Sequence, residues 1–317
     1  MFSKYPKNEV QEEDINNLTF EHLFFRASTG KLIQSLYRFL PNNDRLNLAA
    51  TSTDAHKLDK VDRVLSQVEF KMRLMEDVLR VLNSDEYVDN LSVHQNPSGF
   101  LRLNDVIKFL SPEILAQLPE AHNVRLNFWP GEVYASLGAS FAPETKHGHP
   151  RPFCSFIVSG GYEHYLYLPS QSPSDPHFQV VKIKSANHER KVVLRDKPEY
   201  LSKPLNERIE ASQAGYAYFS TRVIHEVVGR IKMAQPDPGA LSINVVFKPH
   251  SQRASTYKLY FHEYKPENII EHDEQLNAAK AQETLGVVKK ILINRIEELN
   301  SSLQLQDALI PSACAAG

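Results

Sequence analysis

The sequence predicts an α+β protein in which an antiparallel β region lies between two helical ends. Apolar residues recur every three or four positions near both ends of the chain, as they do in amphipathic helices. Between these ends the period changes to two, and β-branched and aromatic residues become frequent. Short strands separated by Gly, Pro and Ser clusters are typical of a sandwich or a closed barrel.

The change of period divides the chain into a helical region (1–118), a β region (119–265) and a C-terminal helix with a tail (266–317). The first region contains a long amphipathic pattern over 61–82 and shorter helical patterns over 31–40, 43–50 and 103–110. The β region contains strand patterns over 124–128, 153–158, 162–168, 178–183, 191–194, 214–219, 223–228, 241–247 and 256–262. A second long helix is expected after Pro266, and residues 308–317 are expected to form a loose tail.

Composition excludes several classes of function. The 36 basic residues nearly cancel the 38 acidic ones, so the net charge of -2 creates no field that would attract nucleic acid or an anionic membrane. No apolar run approaches the roughly 20 residues that cross a bilayer, and no signal peptide begins the chain. The two cysteines, Cys154 and Cys314, cannot form a disulfide framework. We therefore expect a cytoplasmic protein with no nucleic-acid partner and no membrane partner.

The strongest chemical signal is a set of three histidines in the β region. His147 and His149 are separated by one residue, so on an extended chain both imidazoles point to the same side. His225 lies 76 residues after His149, follows a strand and a tight turn, and could return a third imidazole to the same cavity. The alternative is that these are ordinary surface or turn histidines among the 13 in the chain.

These residues resemble the motifs of the cupin superfamily over about 123–262. The first cupin motif has a His-x-His pair and ends in a glycine, here Gly160 or Gly161, and the second opens with a glycine, here Gly215. The resemblance implies a cupin-type antiparallel β-barrel, also called a double-stranded β-helix. It also implies a metal site whose ligands are His147, His149 and His225.

The sequence departs from the usual cupin pattern in two places. Phe153 or Cys154 stands where most cupins carry a glutamate ligand, and the second motif is one residue short. A three-histidine set without the carboxylate resembles the thiol dioxygenases of this superfamily, and Cys154 matches a cysteine that animal cysteine dioxygenases crosslink to a tyrosine. Strand alternation would turn Cys154 away from the cavity, whereas a bulge at Pro150 or Pro152 would turn it inward. A buried core cysteine is the alternative.

The resemblance implies a metal-dependent, non-haem iron oxygenase acting on a small molecule or a side chain. Imidazole suits several metals, so iron(II) is preferred by resemblance, with zinc, nickel, copper and manganese as alternatives. Arg125 and Arg151 are candidates to bind a substrate carboxylate, and Tyr218 is a candidate to position substrate; each could instead be a surface or core residue. Glu163 and His164 follow a turn and are expected to be exposed.

Residues 31–58 carry a second resemblance. An apolar helix, a polar break and a second helix that begins at Asp44 resemble an F-box, the module that docks on the adaptor of cullin-type ubiquitin ligases. An unrelated helical hairpin would give the same pattern. The F-box interpretation implies a different function, a non-catalytic adaptor with a ligand-binding barrel, located in the host cytoplasm if the protein is a bacterial effector.

Overall fold

A computed structural model of the chain describes residues 25–26, 67–118, 121–139, 141–142, 144–151, 153–167, 169–186, 189–201, 203–211, 216–219, 224–232, 236–248, 256–265 and 274–309. The α-helices in these ranges are α1 (Val68–Asn83), α2 (Asp85–Asp89), α3 (Pro112–Gln117) and α4 (Ala278–Leu309). Short 3-10 helices span Val106–Phe109 and Glu132–Leu137. Within the described ranges, no helix combines the length and apolar character that a membrane span requires.

The rest of the described chain is dominated by antiparallel strands. In chain order these are β1 (Phe25–Arg26), β2 (Val93–Gln95), β3 (Leu101–Leu103), β4 (Ala121–Pro130), β5 (His147–Gly148), β6 (Phe153–Ser159), β7 (Gly161–Tyr167), β8 (Pro169–Ser170), β9 (His177–Ala186), β10 (Glu189–Leu194), β11 (Glu199–Leu201), β12 (Leu205–Glu210), β13 (Tyr216–Phe219), β14 (Ile224–Ile231), β15 (Gly239–Phe247), β16 (Thr256–Phe261) and β17 (Glu274–Gln275). The first sheet has the order β1-β13-β6-β15-β4-β3-β2-β17. The second has the order β12-β7-β14-β5-β16-β9-β11-β8, with β10 paired to β9.

Side-chain alternation along the first sheet creates two different surfaces. On β4, Val124, Leu126 and Phe128 are fully buried on the side that packs against the helices. The residues between and after them, Arg125, Asn127 and Trp129, project from the opposite side. The sequence therefore gives this sheet an apolar outer surface and a partly polar inner surface.

The helices cover the outer surface. Buried residues of α1 and α4, including Leu74, Val78, Val288 and Leu292, form one cluster with the apolar side chains of β3, β4, β6 and β15. We call this cluster the helix-side core. The long C-terminal helix α4 therefore packs against both α1 and the first sheet.

The second sheet packs on the inner surface of the first. The cluster between the sheets combines Phe153, Ile157 and Phe219 of the first sheet with Leu166 and Val227 of the second. A corner at Gly160 carries the chain from β6 in one sheet to β7 in the other. Gly160 has a positive φ of 63°, and a Cβ at this position would lie 2.9 Å from the Gly239 carbonyl oxygen, so the corner requires glycine.

Most predicted strands are present, but the connections differ from expectation. The strands on either side of the glycines at 160–161, β6 and β7, do not form a hairpin with each other, because they belong to different sheets. Helix was expected over 103–110, whereas β3 ends at Leu103 and a 3-10 helix begins at Val106. The β2–β3 hairpin, within the region expected to be helical, instead extends the first sheet beyond β4. Among the described strands, neither sheet closes into the barrel that the sequence predicts.

Candidate metal centre

The three predicted histidines converge between the two sheets. β5 pairs with β14 so that His147 lies directly opposite His225, and His149 follows β5 by one residue. The Nε2 atoms of His147 and His149 are 3.1 Å apart, and those of His149 and His225 are 2.7 Å apart. One ligand nitrogen from each of the three rings lies within 4.8 Å of the others. The prediction that these rings share one environment is confirmed.

Neighbouring groups fix the orientation of the rings. The His147 Nδ1 atom is 2.8 Å from the Thr145 carbonyl oxygen, which can only accept, so Nδ1–H donates and Nε2 keeps its lone pair. The His149 ring packs 4.6 Å from Phe153, and the His225 ring 4.8 Å from Phe219. These contacts direct Nε2 of His147 toward the other two histidines and place apolar rings beside the group.

The environment of His149 and His225 favours the neutral form of both rings. Burial lowers the pKa of His149 and of His225 well below the ordinary value, and the neighbouring His147 lowers both further. Metal ligation requires neutral imidazole. Three imidazole nitrogens facing one point are a donor set that fits a divalent cation such as zinc or iron(II).

His164 belongs to the same cluster, contrary to the expectation that it is exposed. It is 3% exposed, and its Nδ1 lies 3.3 Å from the Nδ1 of His225. Burial lowers its pKa to about 3, with a further contribution from His147. Period-two alternation would have found it, because His164 lies between Tyr162 and Leu166, which are buried on the same side of β7. Glu163, by contrast, projects from the other side and approaches Arg208.

Sequence reasoning missed Glu144, which lies in an irregular segment with no recognisable motif. Its Oε2 atom is buried, is 3.9 Å from the His147 Nε2 atom, and has no hydrogen-bond partner among the described residues. Burial raises the pKa of the Glu144 carboxyl, while nearby His147, Arg102 and Arg125 act in the opposite direction. The Glu144 backbone N–H donates to the Val227 carbonyl oxygen at 3.0 Å, which ties this segment to β14.

A cavity of about 750 Å³ opens onto the histidines between the sheets. Its described lining includes the predicted residues Arg125 and Arg151, together with Arg102 of β3, which the sequence analysis did not identify. Arg102 lies opposite Asn127 of β4 and alternates with Leu101 and Leu103 of the helix-side core. Among the described lining residues there are three arginines and one glutamate, Glu144, so the charge of the cavity favours an anionic occupant.

Cys154 does not reach this cavity. It is buried in the helix-side core, while its neighbours Phe153 and Ser155 line the cavity. The backbone of β6 stays in register with β13 and β15 at this point, so regular alternation turns the thiol away from the histidines. The inward orientation implied by the thiol dioxygenases is wrong, and the core alternative is confirmed. The backbone of Tyr218 pairs with Cys154, but the Tyr218 side chain is outside the described part of the structure.

The F-box-like segment, residues 31–58, also lies outside the described residues, and its interpretation remains a prediction. The same holds for the ubiquitin-ligase adaptor as a partner.

Comparison with known proteins gives only distant likenesses. No family model matches the sequence, and no curated protein matches it closely enough to be counted as a relative. Among solved structures, the chain is similar to CapF, crystallised with the inhibitor 3-isopropenyl-tropolone, at 12% identity and a TM-score of 0.22, over 50% of this chain and 30% of CapF. It is also similar to ycfD of E. coli at 9% identity and a TM-score of 0.30, over 73% of this chain and 62% of ycfD. The chain thus spans less than two thirds of either protein, and both TM-scores are too low to establish a shared fold.

Proposed function

We propose that this protein is a metal-dependent oxygenase of the cupin superfamily that acts on a small anionic molecule. The observation that supports the proposal best is the convergence of His147, His149 and His225 in a buried cavity. A structural role alone does not require three imidazoles to direct nitrogens at one another, because buried polar groups are normally satisfied by donor and acceptor pairs. A cation in their midst would satisfy all three at once.

A few side chains that line the cavity would bind the substrate and limit the access of water. Arg125, on the rigid strand β4, and Arg151, two residues after His149, would hold the anionic group of the substrate. Phe153 and Phe219 stack at 4.6 Å beside the histidines and would limit access of water. A bound divalent metal would supply Lewis acidity, and iron(II) would also supply oxygen chemistry.

Iron(II) is the preferred metal on the cupin resemblance, and zinc, nickel, copper and manganese remain alternatives. Elemental analysis of protein purified without oxygen would identify the resident metal. We expect one equivalent of metal per chain, removed by a chelator and restored by the same ion.

The proposal is tested by metal titration and oxygen uptake with matched variants. His147→Ala, His149→Ala and His225→Ala should each lose metal binding, whereas His177→Ala, on β9 outside the cavity, should bind like the wild type. Iron-loaded protein should then consume oxygen in the presence of some members of a panel of small carboxylates and thiols. Wild-type protein that binds no more metal than the His225→Ala variant would refute the metal site. Metal binding without oxygen uptake across the panel would refute the oxygenase.

A further inference from the structure

His164 is the histidine of the cluster that contacts the proposed metal centre without belonging to it. β7 and β14 pair so that Leu166 lies opposite His225 and His164 lies opposite Val227, which makes His164 and His225 diagonal neighbours on one side of the sheet. Their Nδ1 atoms are 3.3 Å apart. The other nitrogen of His164, Nε2, is buried, belongs to a residue lining the cavity and has no hydrogen-bond partner in the described part of the chain.

The contact between two Nδ1 atoms restricts where the protons can be. A neutral imidazole carries one proton, so a hydrogen bond between the two rings requires one Nδ1 to donate and the other to accept. If His164 donated, the proton of His225 would be on Nε2, the atom that points at His149. A protonated Nε2 cannot bind a metal through that nitrogen. With a metal bound, His225 must therefore donate from Nδ1 and His164 must accept.

The direction of this hydrogen bond also determines which nitrogen of His164 carries its proton. When His164 accepts at Nδ1, its own proton is on Nε2, a buried atom of this cavity-lining residue that lacks a described protein partner. The Nε2–H of His164 can then donate to an acceptor in the cavity, either water or an oxygen of the bound molecule. The same cavity contains a second buried donor without a described partner, the Trp129 Nε1–H.

We propose that His164 is a positioning residue that accepts a hydrogen bond from His225 and thereby holds the Nε2 lone pair of His225 toward the metal. Resting on the proposed metal site, this inference adds that metal binding fixes the tautomer of His164 and directs its Nε2–H into the cavity. An outer-shell partner of this kind orients the ligand ring and increases its basicity.

The tautomers are directly measurable. In full-length protein labelled with ¹⁵N in histidine and loaded with Zn²⁺, long-range nitrogen–proton spectra distinguish Nδ1–H from Nε2–H rings. We expect His225 to be protonated at Nδ1 and His164 at Nε2, with assignments made from single variants. A zinc-loaded protein in which His164 is protonated at Nδ1 would overturn the inference.

Two substitutions separate positioning from packing. His164→Phe keeps an aromatic ring beside Phe219 and Tyr162 but removes the acceptor, and we expect the Zn²⁺ affinity in a chelator competition assay to fall by about 10–100-fold. His164→Asn places an amide oxygen near the position of Nδ1 and should restore most of that affinity. A purely structural role would not favour Asn over Phe at a buried site.

The outcomes distinguish this inference from the proposed function. A His164→Phe variant that binds Zn²⁺ as tightly as the wild type overturns the positioning role and leaves the metal site intact. A wild-type protein that binds no Zn²⁺ overturns both. If His164→Phe does not fold, the tautomers of His164 and His225 in the zinc-loaded wild type still show whether His164 accepts the hydrogen bond from His225.

Discussion

At the scale of single residues, the centre contains buried polar atoms that no described residue satisfies. The Glu144 Oε2, Trp129 Nε1, Asn127 Oδ1 and His164 Nε2 atoms are buried without a hydrogen-bond partner among the described residues, and all four residues line the cavity. An unsatisfied buried polar group costs about 1–3 kcal/mol. Because these residues line one cavity, water or a bound molecule can supply the partners of all four atoms.

Substitution of Glu144 should change the stability of the metal-free protein and its affinity for metal in opposite directions. Glu144→Gln removes a buried negative charge 3.9 Å from the His147 Nε2 atom. We expect the metal-free variant to be more stable than the wild type, by about 1 kcal/mol or more, because an incompletely compensated carboxylate is no longer buried. We also expect at least about tenfold weaker Zn²⁺ binding, because the carboxylate attracts a nearby cation.

Thermal unfolding of the metal-free protein and chelator competition measure the two effects separately. Glu163→Gln is the matched control, since Glu163 projects from the other side of β7 toward Arg208 and should change neither quantity appreciably. Unchanged Zn²⁺ affinity in Glu144→Gln would show that this carboxylate does not act on the cation.

Sequence reasoning found the site residues whose positions follow from local geometry. The spacing of one residue between His147 and His149 predicts that both side chains point to the same side of an extended chain. The alternation of side chains along β4 likewise directs Arg125 toward the cavity. His164 was missed because its nearness to a turn was given more weight than the alternation of β7. Glu144 had no local signal, because its position depends on how an irregular segment crosses β14.

At the scale of secondary-structure elements, α1 contains a buried cation. Lys71 is 4% exposed, its Nζ lies 5.5 Å from the centre of the Phe156 ring, and Arg295 of α4 is close enough to interact electrostatically. Burial, with a smaller contribution from Arg295, lowers the pKa of Lys71 from 10.5 to about 8. The helix–sheet contact therefore includes a charge that opposes folding at neutral pH.

We predict that Lys71→Met stabilises the protein by about 1–3 kcal/mol at pH 7. Below pH 8 the lysine is protonated in both the folded and unfolded states, so the wild type bears the full cost of burying the charge. Between about 8 and 10.5 the unfolded chain retains the proton while the folded protein releases it, so wild-type stability rises with pH relative to the variant.

Denaturant unfolding at pH 7 and pH 10 measures this difference, and Lys290→Met, exposed on α4, serves as the control. Equal stabilities of wild type and Lys71→Met at pH 7, or a difference between them that does not shrink at pH 10, would contradict the assignment of a buried charged lysine.

Hydrophobic periodicity predicts the helices and strands that are long enough to contain several repeats of the pattern. The patterns for α1, α4 and the long strands β4, β6 and β15 each extend over several alternations, and the structure contains them. Strands β2 and β3 have three residues each, too few to establish a period, and their pairing with β4 is a tertiary contact. The sequence does not distinguish a hairpin from a change of sheet at Gly160, because the positive φ observed there is compatible with either connection.

At the scale of the whole molecule, the three histidines belong to segments that only the fold brings together. His147 and His149 precede β6, whereas His225 lies 76 residues after His149 and reaches it through the pairing of β14 with β5. An unfolded chain cannot present this set, so metal binding should stabilise the native state.

We therefore predict that free Zn²⁺ at a hundredfold excess over its dissociation constant raises the free energy of unfolding by about 2.7 kcal/mol. Denaturant unfolding with and without Zn²⁺ measures the increment. His177→Ala should retain the full increment and His225→Ala should lose it. An increment that persists in His225→Ala would place the stabilising ion elsewhere.

The central claim, that His147, His149 and His225 bind one ion, is tested most directly by anomalous diffraction from crystals of the metal-loaded protein. We predict a single strong peak between the sheets, about 2.0–2.3 Å from a nitrogen of each of the three rings. A map from fully loaded protein with no peak there, or with its main peak bound by other residues, would contradict the claim.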